Sequence, residues 1–218
     1  MTIISPSILA ANFLELQSEI DVFKDQDATW LHLDVMDGHF VPNMTFGIPI
    51  IKQLSHNTNL PLDVHLMVTN PRFYFDQLSD LELENITFHH EAVENTIELV
   101  QHAKTTKVKK VGVSIKPNTS VAEIGLEVLK NIELVLVMSV EPGFGGQSFM
   151  HNSLDKIKEL CNIREEHNLK FQIQIDGGIN ADTYKLALDA GADNLVAGSY
   201  IFKNDKSNYI DKLNSLRN

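Results

Sequence analysis

The segment that decides the fold runs from residue 30 to residue 38 and reads WLHLDVMDG. A strand has a period of two, so His32, Asp34 and Met36 share one face, and leucine and valine occupy the other. A strand buried in a parallel sheet is apolar almost throughout, which makes polar groups near its carboxyl end informative. In a barrel of alternating strands and helices, that end carries the active site.

Short aliphatic segments of this kind alternate with amphipathic segments along the whole chain. We predict strands at 3–9, 30–36, 62–68, 85–89, 110–115, 133–140, 171–176 and 194–197. We predict helices at 12–24, 49–56, from 71, 93–105, from about 119, 153–166, 180–189 and 209–216. Parallel strands need crossover helices, and eight regular units favour a closed α/β barrel, the (β/α)8 TIM barrel, over an open doubly wound sheet. No Pro-, Gly- or Ser-rich linker divides the chain, so we expect a single barrel domain over residues 1–218.

Composition and charge restrict the class of partner. The 218 residues are 43% hydrophobic and 22% charged, as in ordinary globular proteins. The net charge of −11 argues against nucleic acid and against anionic membrane surfaces as partners. One cysteine, Cys161, cannot form an internal disulfide, and we recognise neither a secretory signal nor an apolar run of bilayer length. We therefore expect a cytoplasmic protein, and any small anionic ligand would require a local positive site.

Two further strands carry polar groups in matching positions. Residues 62–68 read LDVHLMV and residues 171–178 read FQIQIDGG, so His65 and Asp176 face inward near the ends of their strands. The resulting set is two histidines and two aspartates, which suits one divalent cation such as Zn²⁺, Fe²⁺, Mn²⁺ or Co²⁺: His32, Asp34, His65 and Asp176. Each residue alone could be a hydrogen-bonded core or turn residue, but four unneutralised polar groups inside one barrel would be costly. Asp63 lies one layer deeper, and we expect it to be a partner of a ligand rather than a ligand.

Glycine and methionine are concentrated at the same end of the predicted barrel. Six of the 11 glycines lie in the three loops after strands six, seven and eight: Gly143, Gly145, Gly146, Gly177, Gly178 and Gly198. Glycine allows close backbone approach and exposed N–H donors, so these loops favour a phosphate site over simple tight turns. Met36, Met67 and Met138 lie near strand ends, where core packing is the ordinary role. Their common level favours a dry wall over the reacting atoms.

Five motifs resemble those of the ribulose-phosphate 3-epimerase family: SPSIL from Ser5, HLDVMDGHFVPN from His32, DVHLMV from Asp63, MSVEPGFGGQ from Met138 and DGG from Asp176. The similarity extends from Ser5 to about Phe202. The resemblance implies a barrel of the ribulose-phosphate binding type and a metal-dependent isomerase of the pentose phosphate pathway. Such an enzyme interconverts D-ribulose 5-phosphate and D-xylulose 5-phosphate through an enediolate.

The resemblance also implies roles for individual residues. Asp34 and Asp176 match the acid/base pair on opposite faces of the substrate, and the four predicted ligands match the metal set. Ser7 and His65 match substrate contacts, beside the three methionines. The phosphate side corresponds to Gly143, Phe144, Gly145, Gly146, Gly177, Gly178, Gly198 and Ser199. Asn12 stands where aspartate is common in the family.

Other functions remain open at this stage. One is epimerisation of allulose 6-phosphate, and another is a catalytically silent sugar-phosphate-binding barrel, which typically would have lost a ligand or an acid/base residue. A related lyase or decarboxylase would require a catalytic lysine, for which Lys116 is the obvious candidate, although we expect it to face solvent. We further expect a homo-oligomer, and a mobile lid formed by residues 143–147.

Overall fold

The computed structural model describes residues 2–217. One parallel sheet contains β1 (Ile3–Pro6), β2 (Leu31–Met36), β3 (Leu62–Met67), β4 (Asn85–His89), β5 (Val111–Ile115), β6 (Leu134–Met138), β7 (Gln172–Asp176) and β8 (Asn194–Ala197). The strand order is β1-β8-β7-β6-β5-β4-β3-β2. Parallel bridges from Ile4 to Thr29 and from Ser7 to His32 bring β1 beside β2. The predicted (β/α)8 barrel is thus confirmed.

Helices connect the strands outside this barrel. They are α1 (Leu16–Ile20), α2 (Ile48–Asn57), α3 (Pro71–Leu78), α4 (Thr96–Ala103), α5 (Val121–Ile124), α6 (Leu126–Leu129), α7 (Ser153–Glu166), α8 (Tyr184–Ala190), α9 (Ser199–Phe202) and α10 (Tyr209–Asn214). Short 3-10 turns cover Ile8–Ala10, Phe13–Glu15, Asp21–Phe23, His90–Ala92 and Lys206–Asn208. Between residues 2 and 217, no helix has the length and apolar character needed to cross a membrane.

Several predicted boundaries were wrong because local hydrogen bonds start or end an element. The first strand ends at Pro6 rather than Leu9, because Ser7 and Ile8 carbonyls accept from Ala10 and Ala11 in a 3-10 turn. The helix predicted over 12–24 is divided into α1 and two flanking 3-10 turns. Asn12 caps the first of these turns through Leu14 N (3.1 Å), a role that asparagine and aspartate perform equally well.

Side-chain capping also shortens two other helices. The helix predicted over 93–105 begins only at Thr96, where the Asn95 side chain accepts from Glu98 N. The helix predicted over 180–189 begins at Tyr184, because the Asn180 side chain accepts from the N–H groups of Asp182 and Thr183 and holds a turn there.

The interior of the barrel contains an apolar cluster and a set of buried polar side chains. Alternate residues of β6, Leu134, Leu136 and Met138, form an apolar cluster with Trp30. Buried polar side chains also face the interior and pair with one another: Ser5 Oγ donates to Asn194 (2.8 Å), and Asn85 and Gln174 donate to Asp63 (2.7 and 2.6 Å). The outward residues of the strands join the main core under the helices. The hydrogen bonds around Asp63 therefore support the strand end that carries His32.

Candidate active site

Four side chains from three strands converge at the carboxyl end of the barrel. His32 and Asp34 come from β2, His65 from β3 and Asp176 from β7. One donor atom from each lies within 4.8 Å of all the others. His32 Nε2 is 3.4 Å from Asp34 Oδ1 and 3.9 Å from Asp176 Oδ2, and His65 Nδ1 is 3.2 and 3.8 Å from the same oxygens. The structure thus brings together all four residues that the sequence predicts as ligands.

The orientation of His32 is fixed from behind. Its Nδ1 lies 2.8 Å from Asp63 Oδ2, and both side chains are fully buried. A proton on Nδ1 leaves a lone pair on Nε2, and this buried atom has no hydrogen-bond partner among the described residues. A carboxylate that holds a histidine in this way is the usual support of a metal-binding imidazole. Asp63 therefore has the supporting position that was predicted for it.

The donor set fits a divalent cation. Two imidazole nitrogens and two carboxylates are ligands that Zn²⁺, Fe²⁺, Mn²⁺ and Co²⁺ share, so the set favours this group of metals over Ca²⁺ or Mg²⁺. The unpartnered Nε2 of His32 points to such a ligand, because a buried polar atom without a partner costs free energy. This chemistry supports a site for a divalent cation of this group.

The two aspartates of the cluster have opposite electrostatic environments. Burial raises the pKa of Asp176 to about 6, with a further increase from the nearby Asp34 carboxylate. Burial acts on Asp34 in the same direction, but His32 and His65 outweigh it and hold its pKa well below the ordinary value. Ser7 Oγ also donates to Asp34 Oδ2 at 2.6 Å. Paired carboxylates with separated pKa values are typical of acid/base sites.

A cavity of about 310 Å³ lies above the cluster. Its lining includes most of the residues that the sequence predicts for substrate binding: Ser7, Met36, Met67, Met138, Gly143, Phe144, Gly145, Gly146, Asp176, Gly177, Gly178, Gly198 and Ser199. The methionines form a largely apolar wall, and all three are buried. His65, also predicted to contact substrate, is fully buried beneath this level.

Backbone geometry explains two of the glycines on the cavity wall. Gly177 has a φ of 122°, and a Cβ there would lie 2.6 Å from Val140 Cγ2. Gly178 has a φ of 63°, and a Cβ would lie 2.7 Å from Phe149 N. Both values lie in the region that favours glycine, so this turn brings its backbone closer to neighbours than other residues allow.

Sequence reasoning missed one cation in the cavity wall. Lys203 lines the cavity, and its Nζ lies 3.4 Å from the position of a Cβ on Gly146. The available indication was its spacing of four residues from Ser199, which places both side chains on the same side of a helical turn. Lys203 supplies the local positive charge that an anionic ligand requires in this acidic protein.

Lys116 differs from its prediction. Its side chain is half-buried rather than solvent-facing, and Nζ lies 4.0 Å from the centroid of the Phe40 ring. It is not among the described residues that line the cavity. Nothing in this placement favours the lyase or decarboxylase alternative.

Comparison with known proteins decides the family. The sequence model of the Ribulose-phosphate 3 epimerase family matches residues 3–202. The chain belongs to this family. Proteins named ribulose-phosphate 3-epimerase from Treponema pallidum (strain Nichols) and Bacillus subtilis (strain 168) are 44% and 41% identical to it. The matches cover 91% of this chain and 90% of the first protein, and 96% of this chain and 97% of the second. The family resemblance is confirmed, and the chain is an isomerase-class enzyme.

Solved structures with low sequence identity share the fold. A mutant tryptophan synthase alpha-subunit from Pyrococcus furiosus superposes with a TM-score of 0.70 at 15% identity, covering 99% of this chain and 97% of that one. A thiamine phosphate pyrophosphorylase from the same organism gives 0.60 at 14% identity, with coverage of 99% and 93%. At such identities, these similarities concern the barrel architecture of this ribulose-phosphate 3-epimerase family member and not its chemistry.

Proposed function

We propose that the chain interconverts D-ribulose 5-phosphate and D-xylulose 5-phosphate by proton transfer at C3, within a single barrel domain. The observation that carries this proposal is the placement of Asp34 and Asp176 at the floor of a cavity whose wall is rich in glycine. The family supports an epimerase of sugar-phosphate metabolism. The pentose phosphate pathway is the corresponding metabolic setting.

We place the two acids on different sides of the substrate, in line with the strands that carry them. Asp34 is on β2 and Asp176 on β7, and the strand order separates these strands by β1 and β8. Inversion at a carbon beside a carbonyl requires a proton to leave one face and another to reach the opposite face. One aspartate removes the C3 proton, and the other delivers a proton to the other side of the planar enediolate.

The negative charge of the intermediate also has to be stabilised. A divalent cation held by His32, Asp34, His65 and Asp176 would supply a Lewis acid for the negative charge that develops on the substrate oxygens. Ser7 donates to Asp34 and so restricts the orientation of that carboxylate. Asp63 in turn keeps His32 in the tautomer that has its proton on Nδ1 and its Nε2 lone pair facing the cluster.

The rest of the cavity binds and orients the substrate. We place the phosphate against the glycine-rich loops after β6, β7 and β8, close to Lys203. Binding energy from this distant group can hold C3 between the two acids, which raises the rate of the chemical step. The three methionines bring no competing acid or base to the reacting atoms. We also propose that residues 143–147 act as a lid over the cavity. Asn43 Nδ2 donates to Gly143 O at 2.7 Å and is a contact that holds this segment against the barrel.

Solvent isotope exchange tests the proposed function. Metal-loaded protein is incubated with D-ribulose 5-phosphate in D₂O, and C3 deuteration and xylulose 5-phosphate are followed by NMR. We expect deuterium at C3 of both sugars, and its absence would contradict the proposal. Allulose 6-phosphate in a parallel reaction tests the alternative epimerase. Binding without exchange would indicate the silent barrel, although all four predicted ligands are present here.

Two wider expectations are also proposals. We propose a cytoplasmic location, in line with the Oryza sativa relative that is named a cytoplasmic isoform. We also propose a homo-oligomer, for which size-exclusion chromatography with light scattering is the direct measurement.

A further inference from the structure

A second hydrogen-bonded chain reaches the cluster from behind His65. His65 Nε2 lies 2.9 Å from Nε2 of His89, the last residue of β4. His89 Nδ1 lies 3.2 Å from Glu91 Oε2 in the following 3-10 turn. Both histidines have no exposed surface. No role for His89 or Glu91 is predicted from the sequence.

The Glu91 carboxylate is held in one orientation. Its Oε1 accepts from Lys116 N at 2.7 Å and from the Thr119 hydroxyl, while Oε2 faces His89. Although burial raises the pKa of Glu91, these hydrogen bonds and the one with His89 outweigh it and lower the pKa to about 2. An ionised carboxylate only accepts hydrogen bonds. The position facing His89 Nδ1 therefore requires a proton on that nitrogen.

This requirement passes along the chain to His65. A neutral His89 with its proton on Nδ1 has a lone pair on Nε2, which must accept a hydrogen bond from His65 Nε2. With its proton on Nε2, neutral His65 presents a lone pair on Nδ1. That atom lies 3.2 Å from Asp34 Oδ1 and 3.8 Å from Asp176 Oδ2, so its lone pair faces carboxylate oxygens, an arrangement that a cation between them would make favourable. The opposite arrangement would place the lone pair of His89 Nδ1 against the Glu91 carboxylate.

We propose that Glu91, acting through His89, is a positioning residue that holds His65 with its Nδ1 lone pair directed into the cluster. This inference rests on the metal site of the proposed function. It gives His65 the same kind of support that Asp63 gives to His32, with one additional imidazole between the carboxylate and the ligand. The cluster is thereby prepared for a cation before one binds.

The proton positions can be measured without any metal. Long-range ¹H–¹⁵N spectra of the metal-free protein, recorded at about pH 8.5, report which ring nitrogen of each histidine carries a proton. His65→Asn and His89→Asn variants assign the two spin systems. We expect the His89 proton on Nδ1 and a protonated Nε2 in His65. A His89 proton on Nε2 would overturn the proposal.

An isosteric variant tests the role of the carboxylate. In Glu91→Gln, the amide oxygen can still accept from Lys116 N, so the amide nitrogen faces His89 Nδ1 and donates to it. The protons of both histidines should then move to the opposite nitrogens, and Nδ1 of His65 should no longer be free. We expect Zn²⁺ affinity, measured by calorimetry, to fall by about 10- to 100-fold. Affinity and tautomers equal to those of the unmodified protein would overturn the proposal.

A matched control separates positioning from loss of charge. Glu123 is exposed and is the third residue of α5, where its carboxylate accepts from the backbone N–H and the hydroxyl of Ser120. Glu123→Gln removes the same charge and should leave both the tautomers and the Zn²⁺ affinity unchanged; an equal loss in this variant would overturn the proposal. If Glu91→Gln fails to fold, the spectra of the unmodified protein decide the matter. Failure of the unmodified protein to bind metal would refute the proposed metal site, whereas the metal-free spectra test the positioning separately.

Discussion

Asp63 offers a stringent test of the buried network beneath the active site. Its Oδ1 accepts from Asn85 Nδ2 (2.7 Å), and its Oδ2 accepts from His32 Nδ1 (2.8 Å) and Gln174 Nε2 (2.6 Å). The residue has no exposed surface. Asp63→Ala removes the carboxylate acceptor of three buried N–H groups, and each lost hydrogen bond costs about 1–3 kcal/mol. We therefore expect a loss of at least about 3 kcal/mol in the free energy of unfolding.

Asp63→Asn should cost much less. Asn85 Oδ1 has no hydrogen-bond partner among the described residues, so the Asn85 amide can turn and accept from the new amide group. The remaining oxygen at position 63 still accepts from His32 and Gln174. The principal loss is the charge of the acceptor, for which we expect about 1–2 kcal/mol.

Urea unfolding of metal-free protein measures both variants without a contribution from ligand binding. Far-UV circular dichroism and the fluorescence of Trp30 should give coincident transitions if unfolding is two-state. Asp80→Ala is the control, because its side chain is 94% exposed, and it should change stability by less than about 0.5 kcal/mol. An Asp63→Ala variant within about 1 kcal/mol of the unmodified protein, or less destabilised than Asp63→Asn, would refute the reasoning.

Three further predictions concern separate parts of the site. Asp176→Asn should keep the fold and lower C3 exchange by about 10²- to 10⁴-fold, and an unchanged exchange rate would remove Asp176 from the mechanism. The second prediction concerns Asp37: burial alone would raise its pKa, but hydrogen bonds donated by Thr69 and by the loop after β2 outweigh burial and lower the pKa to about 2. The stabilisation from these hydrogen bonds is complete above the pKa that Asp37 has in the unfolded chain, and it is lost as the pH falls towards the pKa in the folded protein. The difference in free energy of unfolding between the unmodified protein and Asp37→Ala, measured by urea titration, should therefore narrow by about 1 kcal/mol from pH 5 to pH 3. Gly177→Ala should destabilise the protein by about 1–3 kcal/mol, because its φ is 122° and its Cβ would overlap Val140; a neutral effect on the urea midpoint would contradict this.

The convergence of the four candidate ligands could be predicted from sequence for a simple reason. The period of two places His32, Asp34, His65 and Asp176 on inward faces, and the carboxyl ends of parallel strands meet at one rim. The strand register confirms that Asp34 and His65 lie at the same height in the barrel, since the two residues pair across β2 and β3. No pattern other than strand periodicity is needed for this part of the site.

The support behind the ligands could not be read in the same way. The contact between His65 and His89 depends on the register of β3 and β4, in which His65 pairs with Thr87. Glu91 follows in a 3-10 turn whose geometry no hydrophobic period specifies. Lys203 enters the cavity wall from the end of α9, where the side-chain direction is decided by the loop after β8. These features arise from tertiary contacts and not from local sequence patterns.

We propose that proton transfer between the two opposed aspartates requires a bound cation. The most direct measurement removes metal with chelators, verifies its absence by elemental analysis, and then follows conversion of D-ribulose 5-phosphate to D-xylulose 5-phosphate. We predict loss of activity and its recovery on adding Zn²⁺, Fe²⁺, Mn²⁺ or Co²⁺ at about one equivalent per chain. Conversion by verified metal-free protein at the original rate would contradict the account.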